Sequence, residues 1–179
     1  MRQSQDVAGS WFTKLENANI VDHGCHYLDL CRHFSGADPI RVKCSVTMVP
    51  GQNAVTPMCH TALLDFAPER QITAVSHFNN IVTTPLLYHY DWYFDGTLGS
   101  IQMGHGEVVV TFKDNPAAQQ VFKIQGTWFP EAFGGSMGEL MQAVTEGRPP
   151  LTHGRDNLRT IRLATAAVES GETGRAIEL

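Results

Sequence analysis

The stretch N-I-V-D-H-G-C-H-Y-L-D-L-C-R-H-F, residues 19–34, decides how the rest of the sequence is interpreted. At about 100° per residue, an α-helix through this stretch separates an apolar side from a polar side. The apolar side carries Ile20, Tyr27, Cys31 and Phe34, and the polar side carries Asp22, His26, Asp29 and His33. The following run S-G-A-D-P, residues 35–39, predicts the end of the helix, because glycine is favoured just after a helix and proline beyond it.

A β-rich stretch follows this helix. Its segments alternate between apolar and polar residues or form short apolar and aromatic runs at residues 40–49, 61–66, 71–82, 87–94, 100–103, 108–112 and 121–125. Turn sequences such as Pro50-Gly51 and Asp95-Gly96 separate the segments. Since parallel strands need long crossovers, such short connections predict antiparallel pairing.

Two further helices are predicted at residues 136–146 and 156–170. Ser136 and Glu139 have the spacing of a capping box, and Gly147 and Gly171 are the expected stops. The order of elements predicts an α+β fold, with a mostly antiparallel open sheet of about six or more strands and helices on one face. We expect one domain over residues 1–179, with residues 1–16 as an irregular or extended lead-in.

Composition argues against several classes of protein. The chain has 179 residues and a net charge of −5, and no run of Lys or Arg offers the basic surface that nucleic acid requires. No apolar stretch approaches the length of a membrane span, and the N-terminus lacks the apolar core of a signal peptide. We therefore expect a cytoplasmic protein with no nucleic acid or membrane partner.

Asp22 and His26 form the strongest chemical constellation. They are four residues apart and hence neighbours on one face of a helix. A carboxylate beside an imidazole holds its tautomer and raises its basicity, so such a pair can take a proton from a hydroxyl while a hydride leaves the same carbon. The alternative is structural: Asp22 caps the helix, and His26 packs or is solvated.

A metal site is the second alternative, since His and carboxylate side chains suit zinc or iron. The polar side of the helix spans about three turns over residues 22–33, so its four side chains cannot reach one ion. Further ligands would have to come from the sheet, such as His60, His77 or His89. We assign no metal ligand.

The irregular spacing of the four cysteines predicts buried free thiols, at Cys25, Cys31, Cys44 and Cys59.

The segment V-D-H-G-C-H-Y-L-D-L, residues 21–30, resembles a family signature, D-x-G-x-H-x-x-D. The signature lies at the first helix of the C-terminal domain in the oxidoreductases that include glucose–fructose oxidoreductase and inositol dehydrogenase. The resemblance implies that Asp22 orients the histidine or binds substrate, that His26 is the general acid/base, and that Asp29 contacts or supports the substrate site. Residues 96–101, 133–150 and 156–175 resemble later segments of the same domain, so the likeness extends from about Trp11 to Leu179.

Two departures from the family pattern bear on function. Asn17-Ala18-Asn19 stands where the family usually has a glycine-rich stretch close to cofactor and substrate. The second departure is that the family's N-terminal Rossmann domain, with G-x-G-x-x-G and a later E-K-P segment, has no counterpart here. We expect NAD or NADP in the intact protein, held by that missing domain, and no cofactor on this chain alone.

An aromatic segment, Y-H-Y-D-W-Y-F at residues 88–94, is the candidate for further substrate contacts. On a strand, Tyr88, Tyr90, Trp92 and Phe94 share one face, which we interpret as core or subunit interface. The other face carries His89, Asp91 and Tyr93, which we predict to contact substrate.

The function that these features predict is the substrate-binding half of an NAD(P)-dependent oxidoreductase for a sugar, polyol or related hydroxy-compound. Without its nucleotide-binding domain the half would have little or no activity. Burial of a sheet face predicts a homodimer or higher homo-oligomer. A non-catalytic binding or scaffolding domain is the first alternative, and a metal-dependent hydrolase or isomerase is the second.

Overall fold

The computed structural model describes residues 2–3, 11–82, 90–104, 106–126 and 128–179. The strands are β1 (Arg2–Gln3), β2 (Arg41–Thr47), β3 (Cys59–Asp65), β4 (Thr73–Asn79), β5 (Ile81–Val82), β6 (Trp92–Asp95), β7 (Gly99–Gly104), β8 (Glu107–Phe112), β9 (Asn115–Lys123) and β10 (Ile177–Glu178). The helices are α1 (Trp11–Lys14), α2 (Cys25–Ser35), α3 (Phe133–Glu146) and α4 (Gly154–Thr173). Turns of π-helix lie at Asn19–Gly24 and Trp128–Ala132, and a 3-10 turn at Pro68–Arg70.

The chain divides into two compact units. The first unit comprises residues 1–84 and 152–179, and the second comprises residues 85–151. Each of the seven predicted strand segments overlaps an observed strand, although residues 87–89 of the aromatic segment lie outside the described residues. All described strand pairs are antiparallel, so the predicted α+β class with an open antiparallel sheet is confirmed.

Within the described residues, the strands are grouped into more than one sheet. The first unit holds a sheet in the order β10-β2-β3-β4 and the short pair β1-β5, whereas the second unit holds a sheet in the order β6-β7-β8-β9. The periodicity of the sequence predicts which residues form strands. It does not predict which strands pair, because pairing depends on where the chain reverses direction.

The core of the first unit lies between one face of its sheet and the helices α2 and α4. Alternate residues of β2 and β3 point inward and are buried, whereas Leu63 and Val75 on the opposite face are exposed. The buried apolar residues are Ile20, Leu28, Val42, Cys44, Ala62, Leu64, Phe66, Leu163, Ala164, Ala166 and Ala167. Small residues on α4 allow it to lie close to the sheet, where Ser170 Oγ accepts a hydrogen bond of 2.8 Å from the Cys44 backbone N–H.

Helix α4 continues past its predicted stop. It runs through Gly171 and ends before Gly174, which has φ +68°. A Cβ at position 171 would lie 2.8 Å from Val46 Cγ1, so glycine there serves close packing on β2 rather than termination.

The predicted capping box of α3 is also wrong. Because α3 begins at Phe133, Ser136 lies inside the helix, and Glu139 instead accepts hydrogen bonds from Arg148 and from the Leu151 backbone.

The buried side of α2 differs from the predicted apolar side. Leu28 is fully buried and Arg32 is 7% exposed, while Phe34 is 47% exposed. Arg32 is buried because its guanidinium joins α2 to α4: it donates to Asp38, Asp29, Thr160 and Asp156 at 2.7, 2.9, 2.7 and 3.2 Å. A buried cation surrounded by acceptors in this way fixes the start of α4 against α2.

The π-helical turn before α2 rests on a buried polar cluster formed by Asn19, His60 and the Met58 carbonyl. Asn19 Nδ2 donates to Met58 O at 2.7 Å, and Asn19 Oδ1 is hydrogen-bonded to His60 Nδ1. A Cβ at position 24 would lie 2.6 Å from His60 Cε1, so only glycine lets the turn approach the imidazole. The cluster therefore sets the position of the turn on the sheet.

No described helix is long and apolar enough to cross a membrane.

Replacing Arg32 with Met should lower the free energy of unfolding by about 3 kcal/mol, because Asp29, Asp38 and Asp156 would lose their shared cation. Arg159 is the matched control, since it pairs with two of the same carboxylates but is 63% exposed. Arg159→Met should cost no more than about 1 kcal/mol. Urea unfolding measures both, and equal losses would contradict the role assigned to Arg32.

Acidification should destabilise the fold through His60. Burial, together with the charge of His77, lowers the pKa of His60 from 6.5 to about 4. Folding therefore favours the neutral ring, so this contribution is complete above pH 6.5 and declines by about 3 kcal/mol as the pH falls towards 4. Urea unfolding between pH 7 and pH 4 measures this decline in the free energy of unfolding. The decline should be smaller in His60→Gln and unchanged in His33→Gln, where the substituted residue is exposed. A wild-type slope in His60→Gln would refute the assignment.

Candidate functional site

The predicted acid/base pair lies at the junction of the π-helical turn and α2. Asp22 belongs to the turn Asn19–Gly24, and its side chain is 35% exposed. His26 lies in the first turn of α2 and is exposed. Both side chains are thus accessible at the surface of the first unit, while the backbone beneath them is anchored by the buried Asn19 and His60.

Asp22 pairs with His23 rather than with His26. Asp22 Oδ2 lies 3.5 Å from His23 Nε2, and no hydrogen bond or ion pair joins Asp22 to His26 among the described residues. The expected pairing assumed 3.6 residues per turn, but π-helical hydrogen bonds reach one residue further, which changes the angle between positions 22 and 26. The two residues remain close in sequence at one helix terminus, and their catalytic roles stay predictions.

The position of His23 is a feature that the sequence interpretation missed. Its ring is half-buried and lies 4.9 Å from the Phe12 ring and 5.8 Å from the Phe78 ring. Its Nδ1 is 3.1 Å from Asn80 Oδ1. No helical periodicity links residues 12, 23, 78 and 80, so no pattern in the sequence could have grouped them.

Asp29, the third position of the signature, contacts Arg32, although its side chain is 40% exposed. Its Oδ1 accepts from Arg32 Nη1 at 2.9 Å and from the Thr160 hydroxyl. The bond from Thr160 joins α2 to α4. The supporting role of Asp29 at the substrate site stays a prediction. A direct contact between Asp29 and substrate stays a prediction.

The second group of predicted substrate contacts belongs to the second unit. Tyr93 is 66% exposed on β6, and its hydroxyl accepts a hydrogen bond of 3.4 Å from Gln102. Asp91 precedes β6 and lies against Gly104, where a Cβ would be 2.5 Å from its Oδ1. His89 lies outside the described residues. Trp92 and Phe94 stack at 6.4 Å with an angle of 5° between their planes, which agrees with their predicted shared face.

Asn17 and Asn19, which replace the family's glycine-rich stretch, have structural partners. Asn17 adopts a left-handed backbone conformation (φ +54°), which asparagine tolerates better than most residues. Its backbone N–H donates to Thr56 Oγ1 at 3.0 Å. Asn19 is 1% exposed and hydrogen-bonded as described above. Within the described chain, the Asn19 side chain therefore points into the fold rather than into solvent.

A cavity of about 330 Å³ in the first unit includes none of the predicted site residues. Its lining consists of Glu16, Asn17, Ile20, Val46, Thr56, Pro57, Val168 and Glu172. We give more weight to the signature residues, because an open cavity without a buried polar anchor indicates no particular ligand.

Neither a metal centre nor a reactive thiol emerges from the described residues. Within them, no three His, Cys, Asp or Glu side chains come together as metal ligands. All four cysteines are free; Cys44 is buried, and the others are half-buried. Burial raises the pKa of the Cys31 and Cys44 thiols to about 11, so these two remain protonated near neutral pH.

The described residues do not fit a dinucleotide. Such a cofactor binds where a glycine-rich loop joins a parallel strand to a helix, whereas every described strand pair here is antiparallel. The glycines at 134, 135 and 138 lie within α3 and not in a loop between a strand and a helix. We therefore assign no residue of this chain to NAD(P).

Solved structures with the same fold are oxidoreductases about twice as long as this chain. An oxidoreductase from Agrobacterium radiobacter in complex with NAD+, L-tartaric acid and magnesium is 25% identical, with a TM-score of 0.80 over 99% of this chain and 54% of its own. A levoglucosan dehydrogenase in complex with NADH and levoglucosan is 15% identical, with a TM-score of 0.82 over 95% of this chain and 53% of its own. An aldose-aldose oxidoreductase from Caulobacter crescentus complexed with glycerol is 16% identical, with a TM-score of 0.77 over 97% of this chain and 52% of its own.

None of the curated proteins matches the chain. The family model described as the C-terminal alpha/beta domain of an oxidoreductase family matches residues 18–179, nearly the whole sequence and all of the signature. The chain therefore belongs to the oxidoreductase family that includes glucose–fructose oxidoreductase and inositol dehydrogenase, and corresponds to its C-terminal domain.

Proposed function

We propose that this chain is the substrate-binding half of an NAD(P)-dependent oxidoreductase acting on a sugar, polyol or related hydroxy-compound. The observation that carries the proposal is that Asp22 is partly exposed on a turn held by buried polar contacts, and that His26 is exposed on the helix that follows it. A catalytic pair must be open to substrate and yet fixed in position, and this terminus of α2 combines both properties.

The chemistry assigned to this chain is movement of the hydroxyl proton. When an alcohol carbon gives up a hydride, its oxygen must lose a proton, and a neutral imidazole is the side chain best suited to accept it near neutral pH. His26 takes this role. Asp22 supplies negative charge that stabilises the resulting imidazolium and accepts a hydrogen bond from a substrate hydroxyl. The hydride acceptor belongs to a Rossmann domain outside this chain.

The substrate class follows from chemistry that the neighbouring structures share. L-tartaric acid, levoglucosan and glycerol, present in those three proteins, each carry several hydroxyl groups. Carboxylates and imidazoles are suitable partners for neighbouring hydroxyls, because they accept hydrogen bonds from them. Asp91, Tyr93 and His89 are proposed as further substrate contacts, and Asp29 as support. A cytoplasmic location stays a prediction from the sequence.

The first experiment is to read the coding DNA upstream of Met1 and to assay the intact protein that it defines, with NAD+ and NADP+ against a panel of polyols and hydroxy acids. Asp22→Asn and His26→Gln should each lower kcat at least 100-fold, since each removes a group that acts on the transferred proton. His33→Gln, an exposed residue of the same helix, should retain full activity.

Two outcomes would overturn the enzymatic proposal. One is full activity in both Asp22→Asn and His26→Gln. The other is an unrelated reading frame upstream together with no turnover by the chain when a nucleotide domain is supplied. Sugar binding without turnover would then favour the non-catalytic binding domain. The Asn19 contact is compatible with either function, because it serves the fold.

We also propose that the sheet of the second unit forms a homodimer or higher homo-oligomer. The register puts Trp92, Phe94, Ile101 and Phe122 on one face, of which Ile101 is 39% and Phe122 52% exposed. An exposed apolar face of this kind favours association. Its opposite face carries Tyr93, Gln102, Val109 and Val121, one from each strand.

Size-exclusion chromatography with light scattering should report an oligomer for the wild type and a monomer for Phe122→Glu, because the new charge would be buried in the interface. Val121→Glu is the matched control: Val121 is 53% exposed and adjacent, but points to the other face. A monomeric wild type, or dissociation by Val121→Glu alone, would contradict the assigned face.

A further inference from the structure

We propose that His23 is a positioning residue for Asp22, holding the carboxylate by a bridge to the buried Asn80. This inference rests on the proposed function, since it assigns the orientation of a group in that site. His23 occupies the unspecified second position of the D-x-G-x-H signature. Its role therefore comes from this chain's own contacts.

The bridge is formed by the two ring nitrogens of His23. Nε2 lies 3.5 Å from Asp22 Oδ2, and Nδ1 lies 3.1 Å from Asn80 Oδ1. Asn80 is itself fixed: it is 1% exposed, and its backbone N–H donates to Met58 O at 2.8 Å. The same Met58 carbonyl accepts from Asn19, so the bridge ends on the buried cluster that anchors the turn.

Aromatic contacts limit the movement of the ring. The fully buried Phe12 lies 4.9 Å from the His23 ring with a tilt of 36°, and Phe78 approaches edge-on at 5.8 Å. Tyr27, on the first turn of α2, packs 4.7 Å from Phe78. Rotation of His23 would break these contacts as well as the polar ones, so the ring acts as a rigid support for the carboxylate.

The proton arrangement also separates the roles of the two histidines. Because an amide oxygen only accepts, Nδ1 of His23 donates to Asn80 Oδ1. Nε2 is the ring nitrogen that faces Asp22, with its Oδ2 at an ion-pair distance of 3.5 Å. His26 is exposed and has no such partner among the described residues, which leaves it available for the proton of the substrate.

The test compares His23→Phe with His23→Gln. Phe keeps the ring packing against Phe12 and Phe78 but removes both nitrogens, whereas Gln retains an amide N–H that can donate to Asp22. His33→Phe is the matched control on the exposed part of α2. Amide NMR spectra establish that each variant is folded before any effect is interpreted.

The first measurement uses this 179-residue chain and needs no catalysis. In 13C NMR, His23→Phe should move the carboxyl resonance of Asp22, His23→Gln should return it towards the wild-type position, and His33→Phe should leave it unchanged. In 15N NMR, Nδ1 of wild-type His23 should carry a proton. An Asp22 resonance that is the same in His23→Phe and wild type would overturn the proposal.

The second measurement uses the intact enzyme. His23→Phe should lower kcat by about 10- to 100-fold through misplacement of the carboxylate, with KM for the cofactor unchanged and partial recovery in His23→Gln. Unchanged kcat in His23→Phe would overturn the positioning role. If the wild-type protein has no dehydrogenase activity, the proposed function fails, while the NMR comparison still decides whether His23 holds Asp22.

Discussion

The contact between Gly24 and the buried imidazole of His60 is the constraint on which the candidate site depends. The turn that carries Asp22 can approach β3 only because position 24 has no side chain. Hydrogen bonds from Asn19 to Met58 and between Asn19 and His60 then hold the turn where van der Waals contact has brought it. The neutral state of His60 belongs to this arrangement, because a second ring proton would be buried against the glycine backbone without an acceptor.

A second anchor at the other side of α2 complements the first. Arg32 draws Asp29, Asp38 and Asp156 around one cation and so joins α2 to the start of α4. The helix is thus held at its start by the buried cluster beneath Gly24 and near its end by a buried ion network. Asp22 can therefore be partly exposed, and His26 exposed, without losing a defined backbone position, and this combination is what a substrate site requires.

The two carboxylates of the signature have different environments and hence different functions. Asp29 directs its oxygen to Arg32 and Thr160 and so contributes to the scaffold. Asp22 faces an imidazole at a partly exposed site and is available to a ligand. Two aspartates of one motif therefore differ in role: Asp29 is a supporting residue, and Asp22 is a candidate catalytic residue. The difference depends on which side chains of α4 and β4 lie near each carboxylate.

The amino-acid sequence predicted the class of fold, the strand segments, the helix that ends before Gly36, the family and the chemical character of Asp22 and His26. These features are local, because periodicity, turn residues and motif spacing are properties of neighbouring positions. The structure shows in addition that the described strands form one four-stranded sheet in each unit, that Arg32 rather than Phe34 is buried, and that Asp22 lies beside His23. Each of these depends on residues far apart in the chain, such as Phe12, Asn80 and Thr160, whose approach is fixed by packing and hydrogen bonds that no local pattern records.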